Sequence, residues 1–443
     1  MHDPLSTTAS ADGPQALDSR NMPLTARSHW PEQVAVWLPL TLFFPVAWMY
    51  TGVVLFYVSL LVSGNWQQKW QRLRQHPMLL PILGLSAVTA VVAVLHGKPD
   101  GVQQEFWPAF GHYQTYLFLL PFLTLQAGAW QSRALNVFFG GATLAAFLFV
   151  LSGLQLLPAV PLFRSYVLYL GNKSILLGML LAIASGWLLC GLVARQKNSA
   201  AQWLQFLFIT AVMLLLSKTR TALVIWVLML LLMMLSRLRW NWRSLLIAAL
   251  PLLAAIGLWQ YALSQPRPPS CVVNTVQAAP WEKVRLRSVC TLQQIRDFSE
   301  GRRSGDDDGM RTELYRVTSG LIAEAPWSGH GIGSWMPLYR ERAQGLSSAT
   351  MTTPHSDYLL YLTETGVLGM LALLLIYAQQ ARLAWQFSRS AASDQRRLAV
   401  PLAMLTLSMV CGAAFNAILR DGVFAMAFLV LLAVLLAGAK RPA

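Results

Sequence analysis

Long apolar runs separated by short polar connections dominate this chain of 443 residues. They cover 34–64, 78–96, 113–128, 134–157, 167–193, 203–217, 221–236 and 244–263, then resume at 357–380, 397–418 and 422–439. The first run exceeds one helix, and Pro45 divides it into two short spans. A membrane core needs about 20 apolar residues per helix, so the pattern predicts an all-α polytopic membrane protein with about 12 transmembrane helices. The segment WQQKWQRLRQH at 66–76 reads as a basic loop. Between 264 and 356 the pattern turns polar, giving one long loop with short helices. Within it Asp306-Asp307-Asp308-Gly309 caps a helix opening near Met310, and Met310, Leu314, Val317 and Leu321 repeat at helical spacing as a buried seam. Pro326 ends that helix, and Gly329-His330-Gly331-Ile332-Gly333 makes a flexible turn.

Hydrophobic residues make up 55% of the chain and charged residues 12%, about half the charge of an average soluble domain, roughly 25%. In a soluble chain the net charge of +15 would suggest nucleic acid. Here the basic residues sit between spans, at Lys69/Arg72/Arg74, Arg133, Arg195/Lys197, Arg237/Arg239/Arg243, Arg382/Arg389/Arg396/Arg397 and Lys440-Arg441. Alternating helices put all of them on one side, which is then cytoplasmic, and no nucleic-acid partner is expected. The resulting division is a cytoplasmic N-terminus at 1–33, transmembrane helices 1–9 at 34–263 and an outer loop at 264–356. Helices 10–12 follow at 357–439, then a cytoplasmic tail at 440–443. Residues 1–30 lack the apolar core of a cleavable signal peptide. Of the four cysteines, Cys190 and Cys411 lie in apolar runs as packing residues, whereas Cys271 and Cys290 lie in the loop. In an oxidising compartment the latter two would close a disulfide loop of about 20 residues.

Some charges break the positive-inside pattern. Lys98, Arg164, Lys218, Arg220 and Arg420 fall on the outer side with the arginines of the loop. Ser217-Lys218-Thr219-Arg220-Thr221 is a tight turn between two apolar runs, where charge is costly unless paired or wet. Function and snorkelling to the headgroups are the two readings. Arg311 lies near the start of the loop helix, off its apolar seam, and His355 follows Pro354 where the chain re-enters the membrane. An imidazole there serves as a base or as a helix-capping group. His330 is its rival, although its glycine neighbours suit a turn. Asp306-Asp307-Asp308 could mimic a metal site but reads better as a solvated run at a helix start, so no metal is assigned. Gly171-Asn172-Lys173-Ser174 lines a site or snorkels, Arg420-Asp421 reads as a local ion pair, and Trp107, Trp327 and Trp335 stack on sugar or anchor at the interface.

Taken in order, Ser217-Lys218-Thr219-Arg220-Thr221, Arg311, Ala325-Pro326-Trp327-Ser328-Gly329-His330-Gly331-Ile332-Gly333, His355-Ser356-Asp357-Tyr358-Leu359 and Glu364-Thr365-Gly366-Val367-Leu368-Gly369 resemble the bacterial O-antigen ligase and polymerase superfamily. The motifs span roughly 167–372, and Ser356-Asp357 stands where the family commonly has Asn-Asp. The modest length, without a further soluble domain, resembles the lipopolysaccharide ligase more than the protein O-glycosyltransferases. The resemblance implies an inner-membrane enzyme with its active site on the periplasmic face and no cofactor. Its donor would be O-antigen on undecaprenyl diphosphate and its acceptor a sugar hydroxyl of lipid A–core, both reached among membrane lipids. It implies Arg220 and Arg311 as catalytic diphosphate-binding cations, Lys218 as an added charge, and His355 as the base that takes the acceptor proton in an inverting, metal-independent transfer. An O-antigen polymerase, sharing the donor, is the nearest alternative. A transporter would require charged residues near the middle of spans, and here they concentrate at the outer ends.

Overall fold

The computed structural model describes residues 29–97, 106–154, 156, 172–194, 199–216, 220–237 and 307–440, with isolated positions 257, 260, 261, 264, 286, 289, 290 and 293. The expected span at 244–263 lies almost wholly outside the described residues, as do Lys218 and Cys271.

Pro45 breaks the first apolar run as expected. Its backbone, at φ −51 and ψ 146, leaves helical space between α1 (Trp30–Thr41) and α2 (Val46–Val62). Asn65, in the left-handed region at φ 55, then turns the chain by 117° into α3 (Trp66–Gln75). The basic loop expected at 66–76 is therefore a helix. Gln, Lys, Arg and Leu are good helix formers, and the segment holds neither Gly nor Pro.

α4 (Leu79–His96) is followed by α5 (Phe106–Tyr113) and two 3-10 turns, Thr115–Leu119 and Phe122–Thr124. The run expected as a span at 113–128 is not one α-helix but two successive 3-10 turns. The hydroxyls of Thr115 and Thr124 donate to the carbonyls of His112 and Pro121, three residues back, and Pro121 offers no N–H. Next come α6 (Ala129–Gly153), α7 (Asn172–Ala194), α8 (Ala200–Leu216) and α9 (Arg220–Arg237). The polar segment contributes α10 (Asp307–Glu324), α11 (Trp335–Arg342) and a 3-10 turn at Ser347–Thr350. α12 (Asp357–Ser388), α13 (Ser393–Phe415) and α14 (Gly422–Leu436) close the chain.

No strand occurs among the described residues, and α4, α6, α7, α12 and α13 are each long and apolar enough to cross a membrane. α8, α9 and α14 are shorter apolar helices. The chain is a multi-pass membrane protein built from helices. At its centre, every residue of α14 from Phe424 to Leu436 is buried, which is why this stretch is apolar on all faces. Side chains from neighbouring elements satisfy its last carbonyls: Gln131 Nε2 donates to Val434 O at 2.7 Å, and His76 Nε2 lies 3.2 Å from Leu436 O. Asp421 caps the other end, its Oδ1 accepting from Val423 N at 3.0 Å. α14 thus spans about 22 Å between two ends of the bundle that carry different chemistry.

Candidate active site

The polar segment is welded to the membrane helices by a break in α12. Gly366, at φ 65 and ψ −166, interrupts that helix and frees backbone groups around it. The glycine-rich turn takes them up: His330 N donates to Thr363 O at 2.8 Å, Gly331 N to Glu364 O at 3.0 Å, and Val367 N to Pro326 O at 2.9 Å. Inside the weld the fully enclosed Glu364 carboxylate accepts from Tyr113 OH at 2.7 Å, Gly333 N at 3.0 Å and Trp335 N at 3.2 Å. The turn expected to be flexible is thus pinned, because it completes a broken helix. His330 belongs to the same joint. Its Nε2 lies 2.7 Å from Leu321 O in the last turn of α10, a capping contact.

Above the weld, α10 and α11 form a small core. Leu314, Leu321, Trp335, Tyr339 and Leu360 are buried together; of the expected seam, Val317 is half-buried at their edge and Met310, also half-buried, lies outside the cluster. Trp335 is stacked on Tyr339 and bonded through Nε1 to Thr318, so neither sugar stacking nor interface anchoring describes it.

This platform places His355 at the entry to α12. Ser356 is the N-cap of α12, its Oγ accepting from Leu359 N at 3.5 Å. His355 stands just before it in the left-handed region, at φ 50. Its imidazole lines a cavity of ≈ 220 Å³ with His112, Thr353, Asn416, Arg420 and Asp421. Burial, and then the guanidinium groups of Arg311 and Arg420, push this imidazole down to about 4. It is neutral at pH 7 and a proton acceptor.

Arg420 is the residue whose part the sequence reading missed. Asp357, wholly buried, turns its carboxylate to the loop between α13 and α14: Leu419 N donates to Oδ2 at 3.0 Å, and the N–H groups of Ile418 and Arg420 also reach it. That anchor holds Arg420 over the cavity, where its guanidinium donates to Thr352 O instead of pairing with Asp421. Arg420 also lowers the proton affinity of half-buried His112, after burial itself, and reaches the adjoining cavity beside Glu364. One signal was present in the sequence. Arg420 breaks the positive-inside pattern just as Lys218 and Arg220 do.

Arg311, half-buried near the start of α10, is close enough to act on His355 electrostatically. Arg220 begins α9 and is exposed. Its neighbour Thr221 accepts a hydrogen bond from Asn416 Nδ2 at 3.2 Å, and Asn416 lines the cavity, so the start of α9 borders the site. The side chains of Asn172 and Lys173 lie outside the described residues, although the same helix brings Ile175 to the cavity wall. Cys190 and Cys411 are buried thiols, whereas Cys290 is disulfide-bonded. Among the described residues no group of three or more His, Cys, Asp or Glu side chains could hold a metal ion.

Comparison with protein families finds that residues 205–374 match a model described as O-antigen ligase. The match runs from α8 through α10 to the break in α12, and so includes Arg220, Arg311, His355 and the weld. No curated protein matches the chain. Over this segment, about two fifths of its length, the chain is similar to the O-antigen ligase family.

Proposed function

We propose that the protein transfers O-antigen polysaccharide from undecaprenyl diphosphate to a sugar hydroxyl of lipid A–core. The observation that carries this reading is a neutral imidazole facing an open cavity beneath guanidinium groups. The acceptor hydroxyl attacks the anomeric carbon, and its proton passes to His355. The bond from that carbon to the diphosphate oxygen breaks, and undecaprenyl diphosphate leaves with its electron pair. Direct attack inverts the anomeric centre. Arg311 and Arg420, with Arg220 at the rim and Lys218 as an added charge, neutralise the charge growing on the leaving group. Such fixed donors contribute on the order of 3–4 kcal/mol each in a water-poor site.

This reading places about 12 spans in the inner membrane. The 264–356 loop and the His355 end face the periplasm, both termini face the cytoplasm, and Cys290 pairs with Cys271. Reconstitution with lipid-linked donor and rough lipopolysaccharide tests the reaction, and absence of transfer would overturn it. A polymerase uses the same donor, and deletion separates the two. Loss of a ligase leaves polymerised glycan unattached on its lipid, whereas loss of a polymerase leaves single repeats attached.

Because guanidinium groups already meet the diphosphate, transfer is expected to survive EDTA; complete inhibition would sink the metal-independent mechanism. The cations also set the pH profile. Above about 4 the free imidazole is unprotonated, so kcat/KM should stay level through pH 6 and fall only as pH approaches that value. Arg420→Gln removes a charge that lowers the His355 pKa. Its acid limb should move toward neutral pH, and kcat should drop about 10²-fold. An unmoved limb would show that Arg420 does not act on His355.

A further inference from the structure

The end of the bundle away from His355 carries a second polar cavity, of ≈ 120 Å³, lined in part by Glu32, Ser63, Asn65, Gln68, Lys69 and Arg72. α2 separates the two sites. Tyr50 near its start approaches Gly422 beside Asp421, and Ser63 lies just past its end. The bend at Asn65 lays α3 across this end, with Trp66 and Trp70 half or more exposed. Aromatic side chains in that position mark the level of lipid headgroups.

Lys69 is 6% exposed, yet the hydrogen bonds its Nζ makes, to Leu60 O at 2.8 Å and Ser63 Oγ at 2.6 Å, are to neutral oxygens. An ammonium has three N–H donors, so one makes no hydrogen bond to the protein, although the Nζ also lies 4.8 Å from the centre of the Trp66 ring. The Arg72 guanidinium donates to Thr124 O at 3.0 Å and Gln68 Oε1 at 3.4 Å, leaving further donors of its five. Glu32 acts electrostatically on Lys69, but its Oε2 is buried with no hydrogen-bond partner. The cavity is therefore lined by cationic donors and by Glu32, which opposes Lys69 in charge without a hydrogen bond at its Oε2. Hydrogen-bonding capacity left unmade beside buried charge favours a polar ligand.

We infer that this cavity binds the headgroup of a zwitterionic phospholipid carrying a primary amine, such as phosphatidylethanolamine. The phosphate meets Lys69 and Arg72, and the ammonium meets the Glu32 carboxylate where it lines the cavity. A simple anion would leave Glu32 unsatisfied, and a simple cation would meet Lys69 and Arg72. Only a ligand with both charges answers both. The acyl chains leave along the apolar surface beside α3. The site takes no part in the transfer chemistry, and its test is independent of that reading.

The test is native mass spectrometry of the full-length protein, delipidated in detergent and titrated with phosphatidylethanolamine or phosphatidylglycerol. The wild type should retain one phosphatidylethanolamine with about ten-fold preference, the scale of one charge-assisted contact. Glu32→Gln should bring the two lipids to near parity by removing the amine contact, and Arg72→Gln should weaken retention of both. Equal retention by the wild type, retention of neither lipid, or a preference unchanged in Glu32→Gln would each overturn the assignment.

Discussion

Replacing His355 by Asn or Ala is expected to lower glycan transfer by about 10²–10⁴-fold, the usual contribution of a positioned base. The two substitutions are not equivalent. His355 adopts φ 50, a left-handed conformation that Asn tolerates well and Ala poorly. His355→Asn should therefore leave melting at neutral pH nearly unchanged, whereas His355→Ala adds about 1 kcal/mol of backbone strain. The Asn variant separates chemistry from folding, and normal transfer by it would end the general-base assignment. The variant should also change acid stability. Because the folded-state pKa of His355, about 4, lies below the ordinary 6.5, the unfolded chain binds more protons between those values. Stability from this group is present above pH 6.5 and is lost as pH falls through 4. His355→Asn should show a smaller drop in melting temperature over that window.

Gly366→Ala should be the most damaging substitution for the fold. A Cβ there would stand 2.2 Å from Trp327 O and 2.8 Å from Gly329 N, both backbone atoms that the weld holds in place. The φ of 65 adds strain for any side chain. We expect a loss on the order of 4 kcal/mol, with α10 detached and transfer abolished. Gly320→Ala, within α10, is the matched control. Nothing lies within 4 Å of its Cβ, and it should be neutral or slightly stabilising. Melting and limited proteolysis of the segment between Pro326 and His355 would distinguish the two. A Gly366→Ala protein that melts with the wild type would show that the weld is dispensable.

Much of the architecture was legible along the chain because burial in a membrane leaves a one-dimensional trace. Pro45 marked a true break, α8, α9, α13 and α14 start and stop within four residues of their apolar runs, α12 continues eight residues beyond its run, and Leu314 and Leu321 of the seam are buried. Two segments misled. At 66–76 helix propensity was hidden by polarity, and at 113–128 apolar composition hid hydroxyls and a proline that favour 3-10 turns. Hydropathy reports how much a segment is buried, and says less about its backbone.

The candidate site divides in the same way. By itself the sequence singled out His355 just before an apolar run, Arg220 in a turn between two apolar runs, Arg311 near the start of the loop helix, and the glycines at 329, 331 and 333 as a turn. Only the tertiary structure decided what those glycines join and which cations share the His355 cavity. Arg420 lies 65 residues beyond His355 by number, and it comes to the cavity because the buried Asp357 carboxylate binds the turn that carries it. Trp335 looked like a surface aromatic until its partners Tyr339 and Thr318 were placed around it. The physical reason is common to all of these. Apolar periodicity and backbone strain are local and leave marks on adjacent residues, whereas the field at an imidazole is summed over groups that meet only when the chain is folded.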